Sequence, residues 1–255
     1  MLLEVNGLTK HFGGIVAVKE ISFGVREGEI FALIGPNGAG KTTVFNLISG
    51  MFKPDQGSIA FEGRPLTGLK THRIAARGIT RTYQNLQLFG GMSVLDNVMT
   101  GAYLKGKTGF LKALARWPGS VAEDKRIRRE ALHLLSEVGL ENQAELPAAA
   151  LPFGQQRLLE IARSMAADPR LVLLDEPAAG LNSAETKVLA EYLKHLRQQG
   201  RSMVLVEHDM ETVMEVADRI MVINFGESIA EGTPAQIQAN PLVIKAYLGE
   251  DEQVA

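Results

Sequence analysis

Short apolar runs recur along this chain, separated by amphipathic stretches. Ile30–Ile34 runs into Gly35, and Leu171–Leu174, Met203–Val206 and Ile220–Ile223 are three more such runs. Runs of this length suit strands buried on both faces of a sheet. Ile21, Phe23 and Val25 alternate with Ser22, Gly24 and Arg26, the period of a half-exposed strand. The first 30 residues read as strands, and Ser58–Phe61 as another short one.

Helical spacing fills the intervals. Thr42–Ser49 reads as a helix stopped at Gly50. Ile127, Ala131, Leu134, Leu135 and Val138 share one helical face, and Val188, Leu189, Tyr192, Leu193 and Leu196 form a second stripe. Residues 93–150 read as a mostly helical insert; within them Lys105–Ser120 is rich in Gly, Lys and Arg and carries the sole tryptophan, Trp117. Strands alternating with helices imply an α/β fold, with a mainly parallel sheet covered on both faces.

Composition narrows the classes. The 255 residues are 45% hydrophobic and 22% charged, which is ordinary for a globular chain and too apolar for a disordered one. With 27 Lys+Arg against 29 Asp+Glu the net charge is -2, which gives no reason to expect a nucleic-acid partner. Cysteine is absent, so disulfides and thiol chemistry are excluded. The longest uncharged stretch, Thr82–Leu95, has 14 residues. A bilayer span needs about 18 or more apolar residues, so none is expected. Met1-Leu-Leu-Glu-Val-Asn lacks a basic segment followed by an apolar one, so no secretory signal is expected and the protein should be soluble and cytoplasmic.

Gly35-Pro36-Asn37-Gly38-Ala39-Gly40-Lys41-Thr42 matches a phosphate-binding loop. Its glycines let consecutive backbone N–H groups curl around phosphate oxygens, and the helix that follows turns its positive end to the same place. Lys41 supplies a cation for the β- and γ-phosphates of ATP, and Thr42 a hydroxyl for Mg²⁺. Asp175 and Glu176 end an apolar run, where α/β sheets place ligands. Asp175 suits Mg²⁺, through water, and Glu176 suits a general base for the attacking water. His208 lies at the end of another apolar run and could sense the γ-phosphate. Gln84 alone reads as a loop residue.

Gly35–Thr42, Gln84, Leu151–Arg157, Asp175–Glu176 and His208 follow the order and spacing of ABC-transporter ATPase domains, and the chain resembles that family along its whole length. Within the family it is most similar to the ATP-binding subunits of branched-chain amino acid importers. The stretches that carry this likeness are Phe12-Gly-Gly, Gly35–Phe45, Asp175-Glu-Pro-Ala-Ala-Gly-Leu-Asn, Glu207-His-Asp-Met and Gly232-Thr-Pro to Ala246-Tyr-Leu-Gly, and the long linker Leu104–Arg129 has the same character.

The resemblance implies a P-loop NTPase core, residues 1–92 and 151–255, with an N-terminal antiparallel β-subdomain and a helical subdomain inserted over about 93–150. It implies that Phe12 stacks on adenine, that Gly35–Thr43 bind the nucleotide phosphates, that Gln84 reaches Mg²⁺ and links the site to a membrane partner, and that His208 is a switch residue. It also implies that Gly154 and Gln155 act on the ATP of a second copy, in a homodimer or a related heterodimer. The other implied partners are transmembrane permease subunits and, indirectly, a substrate-binding protein, at the cytoplasmic face of the inner membrane. Leu86, Leu88, Phe89 and Met92 either pack beneath the insert or line a groove for a helix of the permease.

Two positions depart from the family pattern. Pro152 stands where serine is usual and offers neither hydroxyl nor N–H. Asn182 stands where aspartate is common, and with Glu185 it also reads as a helix cap. The rival reading, a soluble ATPase of this type serving as a switch outside transport, usually brings a long coiled coil or two fused ATPase halves, and this chain has neither.

Overall fold

A computed structural model describes residues 1–103 and 118–248. Trp117 and most of Lys105–Ser120 lie outside the described residues. Two sheets organise the described residues. Strands β1 (Leu3–Phe12), β2 (Ile15–Val25), β4 (Gln56–Phe61) and β5 (Arg64–Pro65) form an antiparallel sheet in the order β2-β1-β4-β5. Strands β3 (Ile30–Ile34), β6 (Ile79–Arg81), β7 (Leu171–Asp175), β8 (Ser202–Val206), β9 (Arg219–Asn224) and β10 (Glu227–Gly232) form the second, in the order β10-β9-β3-β8-β7-β6. Its pairings are parallel except for the β9–β10 hairpin.

Every residue of β3, β7 and β8 is buried, because successive side chains enter opposite apolar layers. Phe31, Leu33, Leu171, Leu173, Val204 and Val206 share a core with the antiparallel sheet, helix α1 (Lys41–Ile48) and Ile74 of helix α2 (Thr71–Ala75). Ile30, Ala32, Ile34, Val172, Leu174, Met203 and Leu205 face the helices α5 (Phe153–Ala166), α6 (Ser183–Gln198) and α7 (Met210–Val216). The expected two-sided cover is present, with a second sheet supplying part of one side.

A third apolar cluster lies among helices. Val94, Leu95 and Val98 of α3 (Val94–Ala102) meet Ala131 and Leu135 of α4 (Pro118–Glu137) and Leu159 and Ala162 of α5. From Pro118 onward, the stretch read from sequence as a linker is helix. The face of α5 that carries Leu158, Ile161 and Met165 packs on the main sheet, so this one helix belongs to both cores.

Asn182 caps α6: its Oδ1 accepts from the N–H groups of Ala184 (3.0 Å) and Glu185 (3.1 Å), and the Glu185 carboxylate accepts from Asn182 N–H (3.0 Å). This reciprocal box satisfies donors that the helix cannot pair internally. Replacing Asn182 with Ala should lower stability by about 1 kcal/mol, a fall of about 2–4 °C in melting temperature for a chain of this size. Asn182→Asp, which keeps the acceptor, should melt like the parent in the same calorimetric scan.

Candidate functional site

The main sheet delivers its polar residues at strand ends. β3 runs into the loop Gly35–Gly40, whose last residue caps α1 with φ 107°. That angle favours glycine, and a Cβ there would stand 2.4 Å from the Ala17 carbonyl oxygen. Pro36 and Ala39 are buried, Asn37 and Gly38 exposed. The β9–β10 hairpin supports the loop from behind through Gly226 N–H to the Ala39 carbonyl (3.0 Å). Lys41 is buried, and its Nζ donates to the carbonyls of Gly35 (2.6 Å) and Pro36 (2.9 Å). Thr42 is exposed on the first turn of α1, and Thr43 is half-buried beside it.

Two strands away, β7 ends at Asp175. This carboxylate is buried and paired with Arg81, whose Nη2 lies 2.8 Å from Oδ2. Arg81 also donates to Asn46 Oδ1 (2.7 Å) and Ser49 Oγ (3.0 Å) on the α1 side, and its guanidinium lies over the rings of Phe45 and Tyr83. The arginine thus fixes Asp175 relative to the helix that follows the phosphate loop. Nothing in the sequence singles out Arg81, because a charge inside a three-residue strand has no periodic signature.

Glu176, Gln84 and His208 converge. Gln84 Nε2 donates to Glu176 Oε2 at 2.8 Å, and His208 Nδ1 stands 3.8 Å from the same oxygen. Glu176 adopts φ 47°, a conformation that is uncommon outside glycine, and its N–H donates to the Val206 carbonyl (2.9 Å). Strained backbone held in this way is concentrated at functional sites.

Glu207, another residue the sequence reading left without a role, lies fully buried between these parts. Its Oε1 accepts from Ala178 N–H (2.6 Å) and Oε2 from His208 N–H (3.1 Å), tying the loop after Glu176 to the end of β8. Burial pushes its carboxyl group above the ordinary range, and the backbone donors oppose that shift.

The remaining predicted residues lie on other elements. Phe12, at the end of β1, is exposed and meets Phe52 edge to face at 5.2 Å, with Lys10 Nζ 5.7 Å from its ring centre. An open aromatic face is therefore what the structure presents, rather than a core ring. Pro152 caps α5 without a side-chain bond. Gly154 is buried against α6, where a Cβ would come within 2.5 Å of Glu185 Oε1, and Gln155 is half-buried beside it.

The segment after Gln84 divides. Leu86, Leu88 and Met92 are half-buried, and Leu88 packs against the helical cluster. Phe89 is 54% exposed. Its backbone is fixed by the buried Asn97, which accepts from Phe89 N–H (2.9 Å) and donates to its carbonyl (3.0 Å), while Arg163 lies over its ring. Together with Leu88, Tyr83, Ile74 and Arg163 it lines a groove of about 630 Å³.

Beneath the groove lies a buried pair on α5, again not anticipated from sequence. Arg157 Nη1 donates to Glu160 Oε2 (3.0 Å) and to the Tyr83 carbonyl (3.1 Å), and Nη2 donates to the Gln84 carbonyl (3.0 Å). Glu160 Oε1 accepts from Gln87 N–H (3.1 Å). Burial raises the Glu160 carboxyl, opposed by Gln87 N–H and Arg157. Removing one partner of such a pair leaves an uncompensated buried charge, typically a loss of about 3–5 kcal/mol.

Among the described residues, no helix is long and apolar enough to cross a membrane. Comparison with known proteins places this arrangement. Residues 18–179 match the family described as ABC transporter, and residues 227–253 match the branched-chain amino acid ATP-binding cassette transporter family. The high-affinity branched-chain amino acid transport ATP-binding protein BraF of Pseudomonas aeruginosa is 46% identical over 250 residues, 98% of either chain. Among solved structures, the ADP conformation of an ATP-binding cassette of an ABC transporter superposes with a TM-score of 0.85 at 28% identity, covering 97% of this chain and 98% of that one. A dimeric, post-hydrolysis cassette bound to ADP and Pi has a TM-score of 0.76 at 26% identity, over 91% of this chain and 98% of that one. A match of this length, on a fold that carries the glycine-rich loop Gly35–Gly40 and an acidic strand end at one sheet edge, has one meaning: the chain belongs to the ABC transporter family, as an ATP-hydrolysing, ATP-binding subunit.

Proposed function

We propose that this subunit powers an importer of branched-chain or related amino acids, docked on separate permease subunits at the cytoplasmic face of the inner membrane and supplied by a substrate-binding protein. The names of the full-length relatives and the match at residues 227–253 support the substrate class. They also weigh against a switch outside transport. The observation that carries the hydrolytic reading is the convergence of Gln84, Glu176 and His208 on one carboxylate oxygen at a strand end.

The exposed ring of Phe12 stacks on adenine, and backbone N–H groups of Gly35–Thr43, with Lys41, hold the phosphates. The donor set fits Mg²⁺: this ion takes one or two carboxylates plus phosphate oxygens rather than an all-protein cage, and Asp175 would supply the carboxylate, through water, with the exposed Thr42 hydroxyl and the Gln84 amide oxygen as neutral oxygen donors beside it. Bound Mg²⁺ would neutralise charge on the β- and γ-phosphates. Glu176 orients water and accepts its proton as the oxygen attacks the γ-phosphorus; the bond to the bridging oxygen breaks, leaving ADP and phosphate. His208 stabilises charge on the transferring group. Gly154 and Gln155 serve the ATP of a second copy, with backbone N–H groups of α5 replacing the donor that Pro152 lacks. The groove at Phe89 receives an apolar helix of the permease.

Reconstitution with candidate permeases tests the whole reading: ATP-driven leucine uptake supports it, and hydrolysis with no uptake of any branched-chain amino acid overturns the substrate class. Lys41→Ala should weaken MgATP binding by about 1.5–3 kcal/mol, the scale of a hydrogen bond to a charged group, in a nucleotide titration. Glu176→Gln should lower the hydrolysis rate by about 10²–10⁴-fold while ATP still binds and drives dimerisation, seen by light scattering. Phe89→Ala should change stability by no more than about 0.5 kcal/mol, as exposed positions do, and hydrolysis should persist, while co-purification with the permease is lost. A large fall in the melting temperature would show instead that Phe89 is core.

A further inference from the structure

The buried pair on α5 has no part in the chemistry just described, yet it holds the segment that carries Gln84. The carbonyls of Tyr83 and Gln84 accept from Arg157, and the N–H of Gln87 donates to Glu160, in place of bonds to a neighbouring strand. Arg157 lies three residues beyond Gly154 on the same helix, so the rigid helical backbone separates them by only about 4.5 Å along its axis. The planar guanidinium spans two successive carbonyls at once, which fixes register as well as distance. Both side chains are almost wholly removed from water, where a slipped arrangement would strand polar groups at high cost.

We propose that Arg157, braced by Glu160, is a positioning residue that locks the Gln84 segment to the amino end of α5, so that engagement of Gln84 in one ATP site and presentation of Gly154 and Gln155 to a second copy are a single event. The proposal rests on the reading that Gly154 and Gln155 complete the site of a second copy. Because Glu160 and Gln87 also line the groove beside Phe89, the lock places the groove wall, Gln84 and the start of α5 in one body. Its loss should leave the phosphate loop able to bind ATP and impair only the step that brings two copies together.

The test uses the full chain in the Glu176→Gln background, with ATP-dependent dimerisation followed by light scattering and MgATP affinity by titration. Glu160→Gln leaves the buried Arg157 guanidinium without its carboxylate and should lower the melting temperature, but the carbonyl bonds of Arg157 persist, so the folded variant should dimerise like the background protein. Arg157→Met combined with Glu160→Gln removes the carbonyl bonds without leaving a bare buried charge. It should bind MgATP like the background protein but need about tenfold more protein to dimerise, within the usual range of coupling between sites. Arg157→Lys, which can span only one carbonyl, is the second variant should the double replacement fail to fold, and should show a smaller loss in the same direction. Parent-like dimerisation by Arg157→Lys and by the double variant overturns the lock. Failure of the Glu176→Gln protein itself to dimerise overturns the second-copy reading, and the lock with it, and is recognisable in the control alone.

Discussion

A sheet whose central strands expose no side chain leaves polar chemistry nowhere to go but the strand ends. In β3, β7 and β8 even and odd positions enter two different apolar layers, so a charged residue inside any of them would face a dry core on either side. The three strands are adjacent and parallel, so their carboxyl ends lie on one edge. Gly35, Asp175, Glu176 and His208 reach that edge for this reason, although they are far apart in the chain. The same constraint gives the backbone of Glu176 its fixed position, bonded to Val206 at the end of β8.

Helix α5 carries the second organising constraint. Its Leu158, Ile161 and Met165 belong to the sheet's helical layer, and its Leu159 and Ala162 to the separate helical cluster. A helix apolar on two sides cannot stay with one core and leave the other. Two of its polar residues, Arg157 and Glu160, are caught at the junction and find partners in the irregular segment 83–87. Packing thus sets where that segment lies, and the segment in turn sets where Gln84 and the Phe89 groove lie.

Three buried carboxylates near this edge hold elements together: Asp175 with Arg81, Glu160 with Arg157, and Glu207 among backbone N–H groups. None is an economical source of stability, since desolvation offsets much of the attraction. What they supply is geometry. Arg81 ties Asp175 to α1, Arg157 ties Gln84 to α5, and Glu207 ties the loop after Glu176 to His208. The first two join elements that have no strand pairing to align them, and the third continues the alignment past the last β7–β8 pair, Asp175 with Val206.

Much of this was legible in the sequence. The apolar runs and their alternation identified the strands, the glycine spacing with Lys41 and Thr42 marked a candidate phosphate loop, and Asp175, Glu176 and His208 stood out because each follows a run that had to be buried. These are local signals, set by the two-residue period of a strand and by the few residues able to cradle phosphate. What the sequence alone could not supply was pairing at a distance. Nothing in Ile79-Thr80-Arg81 names Asp175 as its partner, and nothing in the start of α5 shows that Arg157 reaches back to the carbonyls of residues 83 and 84. The exposure of Phe12 and Phe89, against the burial of other aromatic residues such as Phe45, was equally hidden, because burial depends on which surfaces meet once the two sheets and the helical cluster close. Asn182, which stands where the family commonly has aspartate, caps the first turn of α6. The sequence determined which elements form and which residues can do chemistry; the tertiary structure decided which of those residues meet, because long-range contacts follow from how the layers pack and leave no period in the chain.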